Sequence, residues 1–327
     1  MEKAIHANLN FSDTFCTIVD KKNLPFAHTL FFSAKKFDKN ISLQVLIVDS
    51  DLVTITDQRE NIIYHPIKSV LRSEIANKIY NKYSSTNIDH LRWALKPIFL
   101  IHLLQLGYKK VIFVDPDVFF VGAYHFLFSK LDHSNILLTP HWSNIDPLKS
   151  ENSLYSILIA GLYNAGFVAS NSKGIKALTW WAEVCHYKMD RQKELGVFDD
   201  QRYLDILPIE FDGVEILKHR GCNLACWNID TCQRKIVNGK LLINEFFEPI
   251  FIHFNQATIQ HIVDGFDPHL KNYFDEYKRI LNEYGVKLND FKNVYSNKIL
   301  FLFQRLKGYL LIRTRLKRFL FQQAEKL

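Results

Sequence analysis

Two carboxylates interrupt a strongly apolar stretch of this sequence, residues 111–121, which reads VIFVDPDVFFV. The β-branched and aromatic residues on both sides are typical of buried strands. Asp115 and Asp117 stand between them, and acidic residues are seldom buried without a partner. Because Pro116 fixes one backbone angle, the chain can turn here with both carboxylates facing one ion. Hard oxygen ligands suit Mg²⁺ or Mn²⁺. Taken alone the tripeptide is common, and a capped turn with a solvated Asp117 is then the simpler interpretation.

The surrounding sequence predicts strands that alternate with helices. TFCTIV (14–19), QVLIVD (44–49), ILLT (136–139) and LYNAGFVAS (162–170) are predicted strands, and a first helix is expected near residues 27–36. HLRWALKPIFLIHLLQLGY has helical spacing, with Pro97 expected in the first turn and Gly107 as the stop.

This alternation predicts an α/β fold with a mostly parallel sheet and helices on both faces. Ligands of such sheets bind beyond the carboxyl ends of the strands. Asp49, Asp115 and Asp117 each follow a predicted strand, so we expect them at one rim of the sheet.

Length and composition are those of a protein with a sizeable core. The chain has 327 residues, of which 48% are hydrophobic and 14% aromatic, enough for one large domain plus an appendage or for two small domains. It has five cysteines, an odd number, and residues 1–30 lack a basic segment followed by an apolar one. These features favour a cytoplasmic protein with reduced thiols. Cys222, Cys226 and Cys232 have no CxxC pair, which favours small buried residues over a metal site.

The positive charge is concentrated at the carboxyl terminus. Residues 296–327 contain eight basic residues and one acidic residue, which accounts for the whole net charge of +7. This tail mixes Phe and Leu with Arg and Lys, and no apolar run approaches the roughly 20 residues that span a bilayer. We expect a helical tail that binds an anionic membrane surface, or alternatively one that packs on the body or on a dimer partner. Residues 1–295 are neutral, so no nucleic-acid partner is expected.

Ten short pieces of the chain, in order and with similar spacing, resemble the GT-A glycosyltransferases, in particular bacterial enzymes related to the family-8 retaining type. The resemblance covers roughly residues 14–260. The pieces are CTIVDKKNLP, QVLIVD, LKP, VIFVDPDVFF, LLTPH, YNAGFVAS, WW, FDDQRYLD, GCNLACWN and IHFN. The resemblance implies a nucleotide-sugar donor, most often a UDP-sugar, and transfer of the glycosyl group to an acceptor hydroxyl with retention of configuration.

Metal and donor residues follow from the resemblance, position by position. Asp115 and Asp117 match the acidic metal motif for Mn²⁺ or Mg²⁺, and His253 matches the late histidine that completes it, although a lone His after a strand is often structural. Thr17 and Asn23 match the loop that holds the nucleoside, with Asp49 also on the donor side. Lys96 precedes Pro97, where a helix N-terminus and an ammonium would both favour phosphate. A surface lysine at a helix start is the alternative.

Sugar and acceptor residues follow in the same way. Asn164 and Gly166 match the segment that lines the sugar pocket. Asp200 matches the acid that binds the donor sugar, with Asp199 beside it, and Gln201 matches the residue beneath the anomeric carbon. An acidic helix N-cap is the structural alternative for this stretch. On the acceptor side we expect Asn223, Trp227 and Asn228.

The chain departs from the resemblance at one place. Related enzymes usually have a small residue, commonly glycine, soon after the late histidine, where the backbone approaches the diphosphate. Here Phe254, Asn255 and Gln256 follow His253. The departure bears on the diphosphate contacts and on the role of His253.

The resulting hypothesis is a catalytic domain over residues 1–265 and a helical, basic segment over 266–327. The enzyme would act in bacterial surface-glycan synthesis, that is lipopolysaccharide, capsule or exopolysaccharide, on a glycan or lipid-linked acceptor at the inner face of the cell membrane. Two other hypotheses remain open. A nucleotidyltransferase would need a glycine-rich loop after the first strand, which DKKNLP lacks. A catalytically inactive protein that binds sugar nucleotides or membranes is the second.

Overall fold

The computed structural model describes residues 13–50, 61–192 and 196–288. The strands are β1 (Thr14–Val19), β2 (Ser42–Ile47), β3 (Ile62–Pro66), β4 (Lys110–Val114), β5 (Val118–Phe120), β6 (Ile136–Pro140), β7 (Tyr163–Asn171), β8 (Arg191–Gln192), β9 (Val197–Phe198), β10 (Val214–Ile216), β11 (Arg234–Val237), β12 (Lys240–Ile243) and β13 (Phe251–His253). The helices are α1 (Leu24–Lys35), α2 (Ile67–Val70), α3 (Glu74–Tyr83), α4 (Ile88–Leu106), α5 (His125–Lys130), α6 (Glu151–Ala160), α7 (Ile175–Tyr187), α8 (Leu207–Glu210), α9 (Gln256–Val263) and α10 (Lys271–Glu283).

The central sheet has seven strands in the order β10-β6-β7-β4-β1-β2-β3. All of its strands run in one direction except β7, which is antiparallel to both β4 and β6. The prediction of a mostly parallel sheet is therefore confirmed. Because β7 is reversed, its first residues lie at the same rim as the last residues of β1, β2 and β4.

Apolar residues cover both faces of this sheet, as expected for strands that are apolar almost throughout. In β1, Cys16 and Ile18 join one buried cluster, with residues of α3, α4 and α7. Phe15 and Val19 join the other, with residues of α1, α5, β5 and β13. The flanking helices on both faces are thus confirmed.

Helix α4 is capped by Asn87 at its start and by Gly107 at its end, and Pro97 does not mark its start. Asn87 caps its start by accepting from the backbone N–H groups of Asp89 (3.0 Å) and His90 (3.1 Å). Gly107, at φ 107°, ends it in the left-handed conformation. Pro97 lies in the middle of the helix, so its predicted place in the first turn was wrong. The cost of an interior proline is about 3 kcal/mol, and the burial of residues on both sides of Pro97 offsets it.

The described residues up to Gly285 belong to one compact unit, which includes α9 and α10. The functional division after residue 265 stays a prediction. The basic tail, residues 296–327, lies outside the described residues. Among the helices that are described, none is both long and apolar enough to cross a membrane.

Candidate metal and donor site

The turn between β4 and β5 is fixed by three backbone hydrogen bonds. The Val118 N–H donates to the Asp115 carbonyl (3.0 Å), and the Asp115 N–H donates to the Gly166 carbonyl of β7 (2.9 Å). On the other side, the Phe254 N–H donates to the Asp117 carbonyl (2.9 Å). The turn is therefore held between β7 and the end of β13.

Three side chains that could bind a metal meet at this turn. Strand β13 pairs antiparallel with β5, with His253 opposite Val118. His253 Nε2 lies 3.1 Å from Asp117 Oδ1 and 4.0 Å from Asp115 Oδ2. One potential ligand atom from each residue lies within 4.8 Å of the other two. The three residues predicted as metal ligands therefore lie together, in a donor set that Mn²⁺ or Mg²⁺ could accept, and metal binding itself stays a prediction.

The protonation states of the cluster are coupled. Burial opposes charge on His253, but Asp117 and Asp115 outweigh it and raise the pKa of the imidazole above its usual value. Burial likewise opposes charge on Asp117, yet His253 lowers the pKa of that carboxyl. A metal ion would therefore have to displace a proton from a stabilised ion pair.

Gly166 permits this close approach. A Cβ atom at this position would stand 2.6 Å from His253 Cε1, 2.6 Å from Asn164 Oδ1 and 2.8 Å from Asp115 Oδ2. Side-chain atoms do not approach that closely without displacement, so only glycine fits. Gly166 thus makes room for the acidic cluster, and its predicted place in the sugar pocket stays a prediction.

Lys96 is not at a helix N-terminus, and this expectation was wrong. It lies in the middle of α4, only 3% exposed. Its Nζ lies 3.2 Å from Asp115 Oδ1 and 3.2 Å from Asp200 Oδ2, and it donates to the Ala165 carbonyl (3.1 Å). Burial opposes its charge, but the two carboxylates raise its pKa. Lys96 therefore joins the acidic turn to the predicted sugar-binding acid.

Asp200 is held in place from both sides. Its side chain pairs with Lys96, and the indole N–H of Trp181 donates to the backbone carbonyl of Asp200 (2.8 Å). Burial raises the pKa of the carboxyl to about 6, against the lowering effect of Lys96, and Asp115 raises it further. At neutral pH the carboxylate is ionised, but it can take up a proton close to neutrality.

Gln201 and Asn164 form a hydrogen-bonded group beside Asp200. Gln201 Oε1 accepts from the Ala165 N–H (3.2 Å), and its Nε2 donates to the Ala160 carbonyl (2.9 Å). Asn164 Oδ1 accepts from the Gly166 N–H (2.8 Å), and Asn164 Nδ2 lies 3.1 Å from His141 Nε2 and 3.5 Å from Gln201 Oε1. Both amides are therefore oriented by the protein.

Asp199 has a strained backbone, with φ at 47°. Its carboxylate accepts from Arg191 Nε (2.6 Å) and lies 3.9 Å from His90 Nε2. The short helix that follows begins at Arg202, and no side chain caps it. The alternative of an acidic N-cap at Asp199 and Asp200 is thus wrong, because both carboxylates bind cations instead.

The three residues expected at the nucleoside lie in different environments. Asn23 borders a cavity beside the acidic turn. Thr17 is not in a loop: it lies within β1 and is fully buried. Asp49 is exposed, and its Oδ1 accepts from the Lys21 N–H (2.9 Å), which joins the two loops that follow β1 and β2. Of the three, Asn23 is next to space that a ligand could fill.

The cavity has a volume of about 260 Å³. Besides Asn23, Lys96 and the acidic turn, it is lined by residues that sequence reasoning missed: Ile18, Phe26, Arg92, Trp93 and Phe113. Arg92 and Trp93 lie four and three residues before Lys96 on α4, so on a correctly placed helix they share its face. That spacing is the signal that would have found them.

The predicted acceptor residues lie on the other side of the cluster. Trp227 contacts two imidazoles edge-on, with ring centres 5.4 Å from His253 and 5.6 Å from His141. Asn228 is buried, and its Nδ2 donates to the carbonyls of His141 (3.1 Å) and Asn223 (2.8 Å). Asn228 is therefore a scaffold for this loop.

Two buried groups beside Trp227 have unsatisfied polar atoms. Asn223 is fully buried, and neither polar atom of its side chain has a hydrogen-bond partner among the described residues. His141, in the quoted LLTPH segment, was missed as a site residue. Burial lowers the pKa of its imidazole to about 4, so it is neutral at physiological pH.

Comparisons with known proteins give distant similarities. No family model matches the chain. Two uncharacterised proteins of Bacillus subtilis (strain 168) are similar: YfnF is 25% identical over 256 residues, covering 77% of this chain and 84% of YfnF, and YfnD is 28% identical over 258 residues, covering 75% and 78%. Among solved structures, apo mouse xyloside xylosyltransferase 1 aligns with a TM-score of 0.45 and 12% identity, over 76% of this chain and 99% of that one. The galactosyltransferase LgtC, in complex with donor and acceptor sugar analogues, aligns with a TM-score of 0.36 and 16% identity, over 64% and 74%. Identities and TM-scores this low establish no shared activity.

Proposed function

We propose that this protein is a metal-dependent GT-A glycosyltransferase that moves a sugar from a nucleotide-sugar donor, a UDP-sugar, to an acceptor hydroxyl. The observation that carries the proposal is the convergence of Asp115, Asp117 and His253 at the rim of a mostly parallel sheet. The site of a donor sugar would lie beside them, at Asp200 and Gln201, which Lys96 joins to the acidic turn.

Asp115, Asp117 and His253 would hold Mn²⁺ or Mg²⁺, and the mixed carboxylate and imidazole set favours Mn²⁺. When bound, the ion would supply positive charge that stabilises a departing nucleoside diphosphate. The remaining work falls to the chain itself. Lys96 keeps Asp200 ionised, so that its carboxylate can accept hydrogen bonds from donor-sugar hydroxyls.

Retention of configuration is part of the proposal. The Gln201 amide is a poor nucleophile, and both of its polar ends are engaged with backbone groups. A stable covalent intermediate on Gln201 is therefore not expected, and the acceptor hydroxyl would attack from the side of the leaving group. Asn223 and Trp227 are proposed on the acceptor side, because their buried polar atoms lack partners among the described residues.

The test is binding and turnover of nucleotide sugars. Melting temperature would be measured with UDP and with a panel of nucleotide sugars, each with and without Mn²⁺. A ligand at a hundred times its Kd adds about 2.7 kcal/mol of stability, which shifts the melting temperature by several degrees. Asp117→Ala should lose the Mn²⁺-dependent shift. Because this variant also loses the ion pair with His253, each shift is measured from the variant's own ligand-free melting temperature. If no nucleotide shifts the wild-type protein and no nucleotide sugar is turned over, the proposal fails.

The biological setting is proposed from the sequence of the tail. The tail has eight basic residues among Phe and Leu, a composition that suits binding to an anionic membrane surface. The acceptor would then be a glycan or a lipid-linked glycan of bacterial surface-polysaccharide synthesis, at the cytoplasmic face of the membrane. Removal of residues 296–327 should abolish cosedimentation with anionic vesicles and leave UDP binding unchanged. Equal vesicle binding by both chains would contradict this assignment.

A further inference from the structure

The cavity beside the acidic turn is short of positive charge for an anionic ligand. Its lining includes the carboxylates of Asp115 and Asp117 and the cations of Lys96 and Arg92. The proposed donor brings a diphosphate with further negative charge. A metal ion at the turn would offset part of this charge, and a cationic side chain with a free N–H would be needed for direct contact.

Lys96 is not that side chain. An ammonium has three N–H donors, and those of Lys96 face three acceptors, namely Asp115, Asp200 and the Ala165 carbonyl. With its side chain 4% exposed, Lys96 is enclosed by these three groups and has little room to rotate towards a ligand. Its positive charge is compensated by the carboxylates of Asp115 and Asp200.

Arg92 has the capacity that Lys96 lacks. Its guanidinium pairs through Nη2 with Asp89, which is half exposed and lies on the same helix. Its Nε is buried and has no hydrogen-bond partner among the described residues. A buried N–H without an acceptor is uncommon, which points to a partner outside the chain. Arg92 lies near the capped start of helix α4 and lines the cavity.

We infer that Arg92, which lines the cavity and has a buried Nε without a hydrogen-bond partner among the described residues, binds the diphosphate of the donor. This inference rests on the proposed function. A guanidinium also binds carboxylates, so the other source of the anion is an acidic donor sugar, and the experiment separates the two.

Titration calorimetry with UDP, UDP-glucose and UDP-glucuronate, all with Mn²⁺, tests the assignment. Arg92→Gln should weaken binding of all three ligands by about 10- to 100-fold, the range for one lost charge-assisted hydrogen bond. Arg92→Lys keeps the charge but loses the guanidinium fork and should fall in between. Arg279→Gln is the matched control, since Arg279 also pairs with an acid on its own helix, Glu283, but does not border the cavity.

Unchanged UDP affinity in both Arg92 variants would overturn the inference while the proposed function stands. A loss confined to UDP-glucuronate would also overturn it, by assigning the anion to the sugar. If the wild-type protein binds none of the three ligands, the proposed function itself fails. Ligand-free melting temperatures of all variants would be compared first, because the Arg92 side chain is only 20% exposed and its replacement could destabilise the fold. If Arg92→Gln is destabilised, Arg92→Lys serves as the milder change.

Discussion

Replacement of Lys96 by methionine is the most direct test of how the site is held together. Methionine has a similar length, so the substitution removes the ammonium and little volume. Asp115 Oδ1 and Asp200 Oδ2, each 3.2 Å from Nζ, would then face one another without a cation, and the Ala165 carbonyl would lose a donor.

The expected loss of stability follows from burial. Removing one partner of a buried ion pair costs about 3–5 kcal/mol. The Asp200 side chain is 5% exposed and cannot be hydrated, whereas that of Asp115 is 23% exposed and can be in part. We therefore expect a loss near the lower end, about 3 kcal/mol, at about pH 8, above the pKa of about 6 of the Asp200 carboxyl.

The loss should shrink as the pH falls. The folded-state pKa of Asp200 is raised to about 6 from a usual value of 3.8, and without Lys96 it would rise further. A carboxyl whose pKa is higher in the folded state takes up its proton there first, so folding gains stability as the pH falls through that value. Near pH 5 the Asp200 carboxyl is largely protonated in both the wild-type protein and Lys96→Met. The ion pair of Asp200 with Lys96 then no longer contributes to the difference in stability between them.

Urea unfolding followed by circular dichroism at about pH 8 and pH 5 provides the measurement. Lys271→Met is the control, because Lys271 forms an exposed pair with Asp275 that is worth about 0.5 kcal/mol or less. A loss for Lys96→Met below about 1 kcal/mol at pH 8 would refute the reasoning, since it would mean that the buried carboxylates do not need the ammonium. An equal loss at both pH values would refute the part played by Asp200.

Two further substitutions test the same region. Gly166→Ala places a Cβ 2.6 Å from His253 Cε1 and 2.8 Å from Asp115 Oδ2. It should lower the free energy of unfolding in urea by about 1–3 kcal/mol and weaken Mn²⁺ binding in calorimetry. Tight Mn²⁺ binding by this variant would contradict the close packing. His141, with its pKa lowered to about 4 by burial, is neutral when folded but takes up a proton below about pH 6.5 when unfolded. It should therefore cost stability as the pH falls from about 6.5 to 4, by up to roughly 3 kcal/mol, and His141→Gln should remove that part of the slope; identical pH profiles would show that the imidazole is not held neutral.

The elements that the sequence predicts well are those whose signal is local. TFCTIV coincides with β1 because a short run of β-branched and apolar residues is most stable in the middle of a covered sheet. The DPD turn is visible for the same reason, since acids rarely interrupt such a run. Lys96 was misplaced because Pro97 imitates a helix start, and the preference of proline for that position is weaker than the packing of the buried face of α4.

Long-range contacts are less accessible from sequence. That His253 reaches Asp117 depends on the pairing of β13 with β5, and only the resemblance of IHFN to known enzymes indicated it. Nothing local marks His141, because its importance comes from the residues that surround it in space. Arg92 could be found only from its spacing to Lys96, once α4 is placed correctly. The orphaned polar atoms of Asn223 could not be foreseen either, since hydrogen-bond satisfaction belongs to the folded state.

The pairing of β13 with β5 also has a consequence for the order of events during synthesis. Asp115 and Asp117 leave the ribosome long before His253, and at about 5–20 residues per second roughly 7–27 s separate Asp117 from His253. Throughout that interval the nascent chain has two of the three proposed metal ligands, and β5 has no strand beside it. The proposed metal site can therefore be complete only once β13 has joined β5, when most of the sheet has already been made. Metal capture would report the completion of folding in this protein, and would not guide its early steps.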